Sequence, residues 1–146
     1  MSTQFTKIKT GHANGYASFN SQLYSLVLHL DNGHRQVPLG YSGSRVLARL
    51  LSQPGEVVSR EDLIQHGWSD RVVGPGSLNQ QIYTLRQLLG DEKQRQIIQT
   101  LPRRGYLLNP SALSHIEDAH KEAPGPIQPS LLNRLWTRLR TTQQAS

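Results

Sequence analysis

The stretch that decides the fold runs from Gly76 to Leu108, GSLNQQIYTLRQLLGDEKQRQIIQTLPRRGYLL. It reads as one amphipathic helix, a charged turn, and a short hairpin with two adjacent arginines at its tip. Leu78, Ile82, Leu85 and Leu89 recur at spacings of four, three and four, which places them on one face of a helix. That face is the core side. The other side presents Asn79, Gln80, Gln81, Tyr83, Thr84, Arg86 and Gln87, with no acid before Asp91. Such side chains suit base edges: Asn and Gln pair bidentately with adenine, Thr meets a base edge or a thymine methyl, and Arg holds guanine or phosphate. Ser77 is the expected N-cap after the Gly74-Pro75-Gly76 break and Gly90 the expected stop, so the spacing predicts a helix over 77–89.

Beyond that helix, Asp91 to Gln96 is a charged turn, and Ile97 to Thr100 and Tyr106 to Leu108 are short β-type runs. Pro102 and Gly105 favour a turn between them. Arg103 and Arg104 are then expected to meet solvent or an anion, and a narrow minor groove attracts inserted arginine.

Working outward, residues 1–40 show no helical period but carry β-type runs at Gln4 to Ile8, Tyr16 to Phe19, Leu23 to Leu30 and Arg35 to Leu39. Asp31-Asn32-Gly33 is a hairpin signal between the last two. Val46, Leu47, Leu50 and Leu51 form a helical stripe that ends before Pro54-Gly55. Ser59 with Asp62 predicts a capping box opening a short helix that buries Leu63 and Ile64, with Asp a shorter partner than Glu or Gln.

Composition agrees with a polyanionic partner. Sixteen basic against ten acidic residues give a net charge of +6, and the pI is about 10.1. Residues 77–110 alone hold five basic residues against two acidic ones, half of the net charge in under a quarter of the sequence. The absence of cysteine excludes disulfides and thiolate metal sites and fits a reducing cytosol. No signal peptide and no apolar run of about 18 residues occurs, so neither export by that route nor a membrane span is expected within the sequence.

Four motifs together carry a family resemblance: PGEVVSREDLI at Pro54 to Ile64, Trp68, SLNQQIYTLRQLLGD at Ser77 to Asp91, and IQTLPRRGYLL at Ile97 to Leu108. In this order and spacing the chain resembles the winged-helix DNA-binding domain of the OmpR/PhoB type, in its CadC/ToxR-like branch. The resemblance covers Val46 to Leu108 and extends back to about Phe5. It implies an α+β fold, a winged helix-turn-helix with an N-terminal antiparallel β-sheet, three helices and a C-terminal β-hairpin wing. It also implies that Asn79, Gln80, Gln81, Tyr83 and Thr84 lie on the exposed recognition helix, that Arg86 clamps phosphate, and that Thr100, Arg103 and Arg104 belong to the wing. Asp70, Arg71, Val72 and Val73, in the loop before the third helix, match the region that touches RNA polymerase in relatives. Family members often carry more Arg or Lys on the recognition helix, which shifts weight here onto the wing.

Competing uses stay open. Tyr83 can pack over the surface, Arg86 can pair with Asp91 or Glu92, and Arg103 and Arg104 can form an ordinary solvated turn. Trp68 is expected as core or as a loop anchor. The sequence is expected to divide into a DNA-binding domain over residues 1–110, a Pro-rich linker over 111–130, and a short amphipathic basic helix and tail over 131–146. Leu131, Leu132, Leu135, Trp136 and Leu139 share one face of the last element. Docking on the domain, pairing with a second copy, a partner protein, or membrane-surface contact through 131–140 would each use it. In CadC/ToxR-like proteins a transmembrane helix often follows such a linker; this sequence either lacks that anchor or ends ahead of it.

About 40 residues precede Tyr41, too few for a phosphorylatable receiver domain, so control is expected from abundance, a partner or the tail. No catalytic residues, metal site or cofactor are expected: the histidines His12, His29, His34, His66, His115 and His120 lack ligand spacing, and neither a GxSxG motif, a P-loop nor a carboxylate pair occurs. No small-molecule substrate is evident. The expected function is a cytoplasmic, bacterial, sequence-specific regulator of transcription that binds double-stranded DNA, with helix 77–89 in the major groove and wing 100–106 at the minor groove. A homodimer on repeated half-sites is expected, since one small domain contacts few base pairs. The alternative is a winged-helix protein interaction module without direct DNA reading. Such a module calls for apolar residues on the exposed helix face, where only Tyr83 qualifies.

Overall fold

The structure, a computed structural model, describes residues 5–114. The tail helix expected over 131–146, and most of the expected linker, lie outside these residues.

The first strands, β1 (Thr6–Lys9), β2 (Tyr16–Asn20), β3 (Ser25–Leu30) and β4 (Gly33–Pro38), pair as an antiparallel meander. Leu30 pairs with Gly33, so Asp31-Asn32 is the two-residue hairpin loop that the sequence signals. Alternation then sets the faces. Phe19 pairs with Leu26 and Ala17 with Leu28, and all four are buried, as is Ile8 opposite Ala17. The run expected from Leu23 begins instead at Ser25. The Asn20 side chain accepts from the amides of Gln22 and Leu23 and holds those residues in a turn, leaving Leu23 and Tyr24 exposed.

Three helices follow: α1 (Gly40–Ser52), α2 (Arg60–Gly67) and α3 (Pro75–Leu88). Val46, Leu47 and Leu50 of α1, Leu63 of α2, and Leu78, Ile82 and Leu85 of α3 join the inner sheet residues in one core, together with Leu89 and Trp68. Each such side chain contributes about 1.5–3 kcal/mol on burial. Trp68 is a core residue. Ile64 is only partly buried against it.

Ser59 caps α2 as expected, its hydroxyl accepting from the Asp62 amide at 3.1 Å. The Asp62 carboxylate, however, takes the Arg49 guanidinium in a two-point pair, Nε to Oδ1 at 2.9 Å and Nη2 to Oδ2 at 2.7 Å. This side chain therefore fastens α2 to α1, and the Arg49 hydrogen bond holds its carboxyl below the usual carboxylate range.

The chain ends in the hairpin β5 (Ile98–Leu101) and β6 (Gly105–Leu108), a 3₁₀ turn at Pro110–Ala112, and a short strand β7 (Leu113–Ser114). β7 pairs with β1, giving the N-terminal sheet the order β4-β3-β2-β1-β7. Residues 111–114, placed in the linker by the sequence reading, thus belong to the folded domain. Their apolar residues explain it: Ala112 is buried and Leu113 packs on the core.

Candidate nucleic-acid interface

The candidate surface is built on α3 and the hairpin. α3 starts at Pro75 with Gly74 as its N-cap, two residues before the start expected from Ser77. Proline needs no amide partner in the first turn and its φ already suits a helix, so it outcompetes the serine cap. At the other end Gly90 has φ +67° and turns the chain, as expected. There the β1–β2 loop grips the helix. The Gly11 amide donates to the Leu89 carbonyl at 2.8 Å, His12 Nε2 donates to the Leu88 carbonyl at 3.2 Å, and Gly11 approaches Gly90 so closely that a Cβ would strike its carbonyl.

Along α3, Asn79, Gln80, Tyr83 and Gln87 are exposed, and Gln87 Nε2 donates to the Tyr83 hydroxyl at 3.2 Å. Tyr83 is 48% exposed, so it does not pack away against the domain. Gln81 and Thr84 are half-buried. Gln81 lies over α1, where its Oε1 would stand 2.7 Å from a Cβ on Gly43.

Arg86 overturns its expectation. It is only 7% exposed, and its Nε and Nη2 donate to the Ile98 carbonyl at 3.1 and 2.6 Å while Nη2 also reaches Thr100 Oγ1 at 2.8 Å. Neither the exposed phosphate clamp implied by the resemblance nor a pair with Asp91 or Glu92 is what this geometry provides. Helical angle placed Arg86 beside Tyr83 and Gln87, but its long stem lets the head lie under the hairpin. Burial pushes its pKa down from the ordinary arginine value, with Arg95 adding to the effect and Asp91 opposing it.

The hairpin tip is tight. Leu101 pairs with Gly105, leaving Pro102-Arg103-Arg104 as a three-residue turn closed by the Arg104 amide donating to the Leu101 carbonyl at 2.9 Å. Arg103, with φ +67°, and Arg104 are both exposed, as is Thr100.

Two residues whose structural role the sequence does not give shape this surface. Asp91 is buried, and its carboxylate accepts from the amides of Gln96 at 2.7 Å, Ile97 at 3.0 Å and Ile98 at 2.9 Å, directing the chain into β5. Its only sequence signal is an acid directly after the helix-stopping glycine. Arg60, at the start of α2, donates to the Tyr106 hydroxyl at 2.9 Å and to the Pro75 carbonyl at 3.1 Å, tying together α2, β6 and the head of α3.

In the loop before α3, Asp70, Arg71 and Val72 are exposed, Val72 at 98%. Val73 packs partly on the core and so anchors the loop.

Among the described residues no group of three or more His, Cys, Asp or Glu is placed to hold a metal ion, and no helix is long and apolar enough to cross a membrane. An open concavity of about 740 Å³ lies on the outer face of the N-terminal sheet, lined by Phe5, Ser18, Val27, His29, His34 and Gln36. His29 stacks there on Tyr16 at 4.3 Å, and burial, then His34 and Lys7, lower its pKa.

Residues 34–108 match the family described as "Transcriptional regulatory protein, C terminal". The cholera toxin transcriptional activator of Vibrio cholerae serotype O1 is 34% identical over 103 residues, covering 68% of this chain and 34% of that protein. HilA of Salmonella typhimurium, a transcriptional regulator, is 41% identical over 64 residues, covering 44% of this chain and 12% of HilA. The chain thus spans well under half of either relative. Among solved structures, the DNA-binding domain of Escherichia coli CadC superposes with a TM-score of 0.55 at 25% identity, covering 73% of this chain and 94% of that domain. The AdeR DNA-binding domain, solved with an intercistronic region, shares the fold with a TM-score of 0.52 at 18% identity, over 64% of this chain and 93% of that one. The winged-helix fold and the branch read from the four motifs are both borne out: this chain belongs to the OmpR/PhoB-type transcriptional regulatory family, in its CadC/ToxR-like branch.

Proposed function

We propose that the described domain reads double-stranded DNA directly, with α3 in the major groove and the β5–β6 wing at the minor groove, as a non-enzymatic regulator of transcription in the bacterial cytoplasm. The observation that carries this reading is the acid-free exposed face of α3 standing beside an exposed Arg103-Arg104 tip on a hairpin that α3 itself braces. Asn79, Gln80 and Tyr83 face bases, with Gln81 and Thr84 at the margin, and Thr100, Arg103 and Arg104 hold the backbone or the minor groove. Two copies on repeated half-sites supply the base pairs that one domain lacks. Asp70, Arg71 and Val72 are the side chains offered to RNA polymerase, supported by the near-complete exposure of the apolar Val72 next to the exposed Asp70 and Arg71.

Selection of bound sequences from a random duplex library tests the reading. Arg103→Ala with Arg104→Ala is expected to weaken binding to every recovered sequence and to lower the slope of log affinity against log salt by about 2, since each phosphate contact contributes about 0.9. Gln80→Ala is expected to change the recovered sequence more than the affinity. Recovery of no preferred sequence, with unchanged affinity in the double arginine variant, would leave the interaction-module alternative in its place.

A further inference from the structure

We infer that Arg86 is a positioning residue for DNA binding: it touches no DNA but holds the wing and turns the Thr100 hydroxyl into a directed donor for a backbone phosphate. This rests on the reading of the wing as a DNA contact. The guanidinium sits under the hairpin, with Tyr106 at 5.9 Å from its carbon, and its Nε and Nη2 converge on the Ile98 carbonyl. Nη2 also donates to Thr100 Oγ1 at 2.8 Å.

A hydroxyl carries one donor and two acceptor sites. With one acceptor site occupied by a guanidinium N–H, the Thr100 O–H is polarised and directed away from Arg86. Thr100 is exposed, so that hydrogen is available outside, on the same hairpin as Arg103 and Arg104. Asp91 helps to fix the same strand by taking the amides of Ile97 and Ile98. At Ile98 the outer edge of β5 is therefore held by a buried cation on its carbonyl and a buried carboxylate on its amide. The wing is set against α3 before any duplex arrives, which lowers the ordering cost of binding.

Binding of the full chain to mixed-sequence duplex DNA, measured across a salt series, separates positioning from direct contact. Thr100→Val is expected to lower affinity about tenfold, the range of one charge-assisted hydrogen bond, and Thr100→Ser to restore it. Arg86→Met is expected to lose about tenfold as well, with the salt slope unchanged because no phosphate loses its cation. Combined with Thr100→Val, it should add little, since both remove the same contact. Should Arg86→Met fail to fold, Arg86→Gln keeps a hydrogen-bond donor without a cation and is expected to lose affinity at an unchanged slope. A slope lowered by about 1 in either Arg86 variant makes Arg86 itself the phosphate contact and overturns the inference, as do multiplying losses in the double variant. Wild-type affinity in Thr100→Val overturns it too. If the Arg103→Ala, Arg104→Ala control still binds weakly, the wing reading survives that failure; if the control binds like wild type, the wing reading itself falls.

Discussion

Arg103 is held at φ +67°, in the left-handed region that costs a non-glycine residue about 1–2 kcal/mol. Glycine at that place removes the steric cost but loses about 0.5–1 kcal/mol through its freer unfolded chain. Arg103→Gly is therefore expected to stabilise the domain by about 0.5–1 kcal/mol, raising the unfolding midpoint by a few degrees, while DNA affinity falls. Calorimetry beside a binding titration checks both signs, and a variant that is more stable yet binds as well as wild type would remove Arg103 from the contact set. Two residues on, Gly105 has no such latitude. Its φ is +143° and a Cβ there would strike the Val58 carbonyl, because Val58 and Tyr106 exchange backbone hydrogen bonds at 2.8 and 3.0 Å. The tip is thus a strained arginine beside an obligatory glycine, and only the arginine position is free to vary.

At the scale of elements, α3 and the wing act as one piece, and Asp91 is the joint between them. Asp91→Ala leaves the amides of Gln96, Ile97 and Ile98 without their acceptor, at a cost of about 3 kcal/mol for hydrogen bonds to a charged group lost at a buried site. Hydrogen exchange should show Ile97 and Ile98 losing protection while the α1 core amides of Leu47 and Leu50 keep theirs; equal loss in both would mean the joint is global rather than local. The sequence shows why this joint is hard to read and α3 is not. Leu78, Ile82, Leu85 and Leu89 are legible because a helix repeats its buried face within a few residues. The same periodicity sends Arg86 to the wrong side, since its partners Ile98 and Thr100 are twelve and fourteen residues away and belong to another element. Gln81 has the same history: sequence spacing exposes it, and the bare backbone of Gly43 on α1 lets it lie down. Arg103 and Arg104, which no other element covers, are placed correctly by the sequence, as are Asn79, Gln80 and Tyr83 on the open side of α3.

For the whole molecule, the domain closes on itself at its last described strand. Ile8 of β1 pairs with Ala17 on one side and Leu113 on the other, and Ala112 is buried just before that pairing. Asn109 begins this closure, its side chain accepting from the Ser111 amide at 2.9 Å and its own amide donating to the Ile97 carbonyl at 2.9 Å. A chain ending at Asn109 keeps the wing but strips the cover from β1, exposing a strand edge that native sheets normally protect. Relative to a chain ending at Ser114, it is expected to lose about 1–3 kcal/mol, the burial of one or two small apolar side chains, and to unfold several degrees lower. Equal midpoints for the two chains would show β7 to be ornamental. The comparison also decides how DNA binding by shortened chains is to be read. A difference between the Asn109 and Ser114 chains measures the closure of the sheet by β7. A difference between the Ser114 chain and the full sequence measures what residues 115–146 add to the grip of one copy or to the pairing of two, and a concentration-dependent gain separates the second from the first.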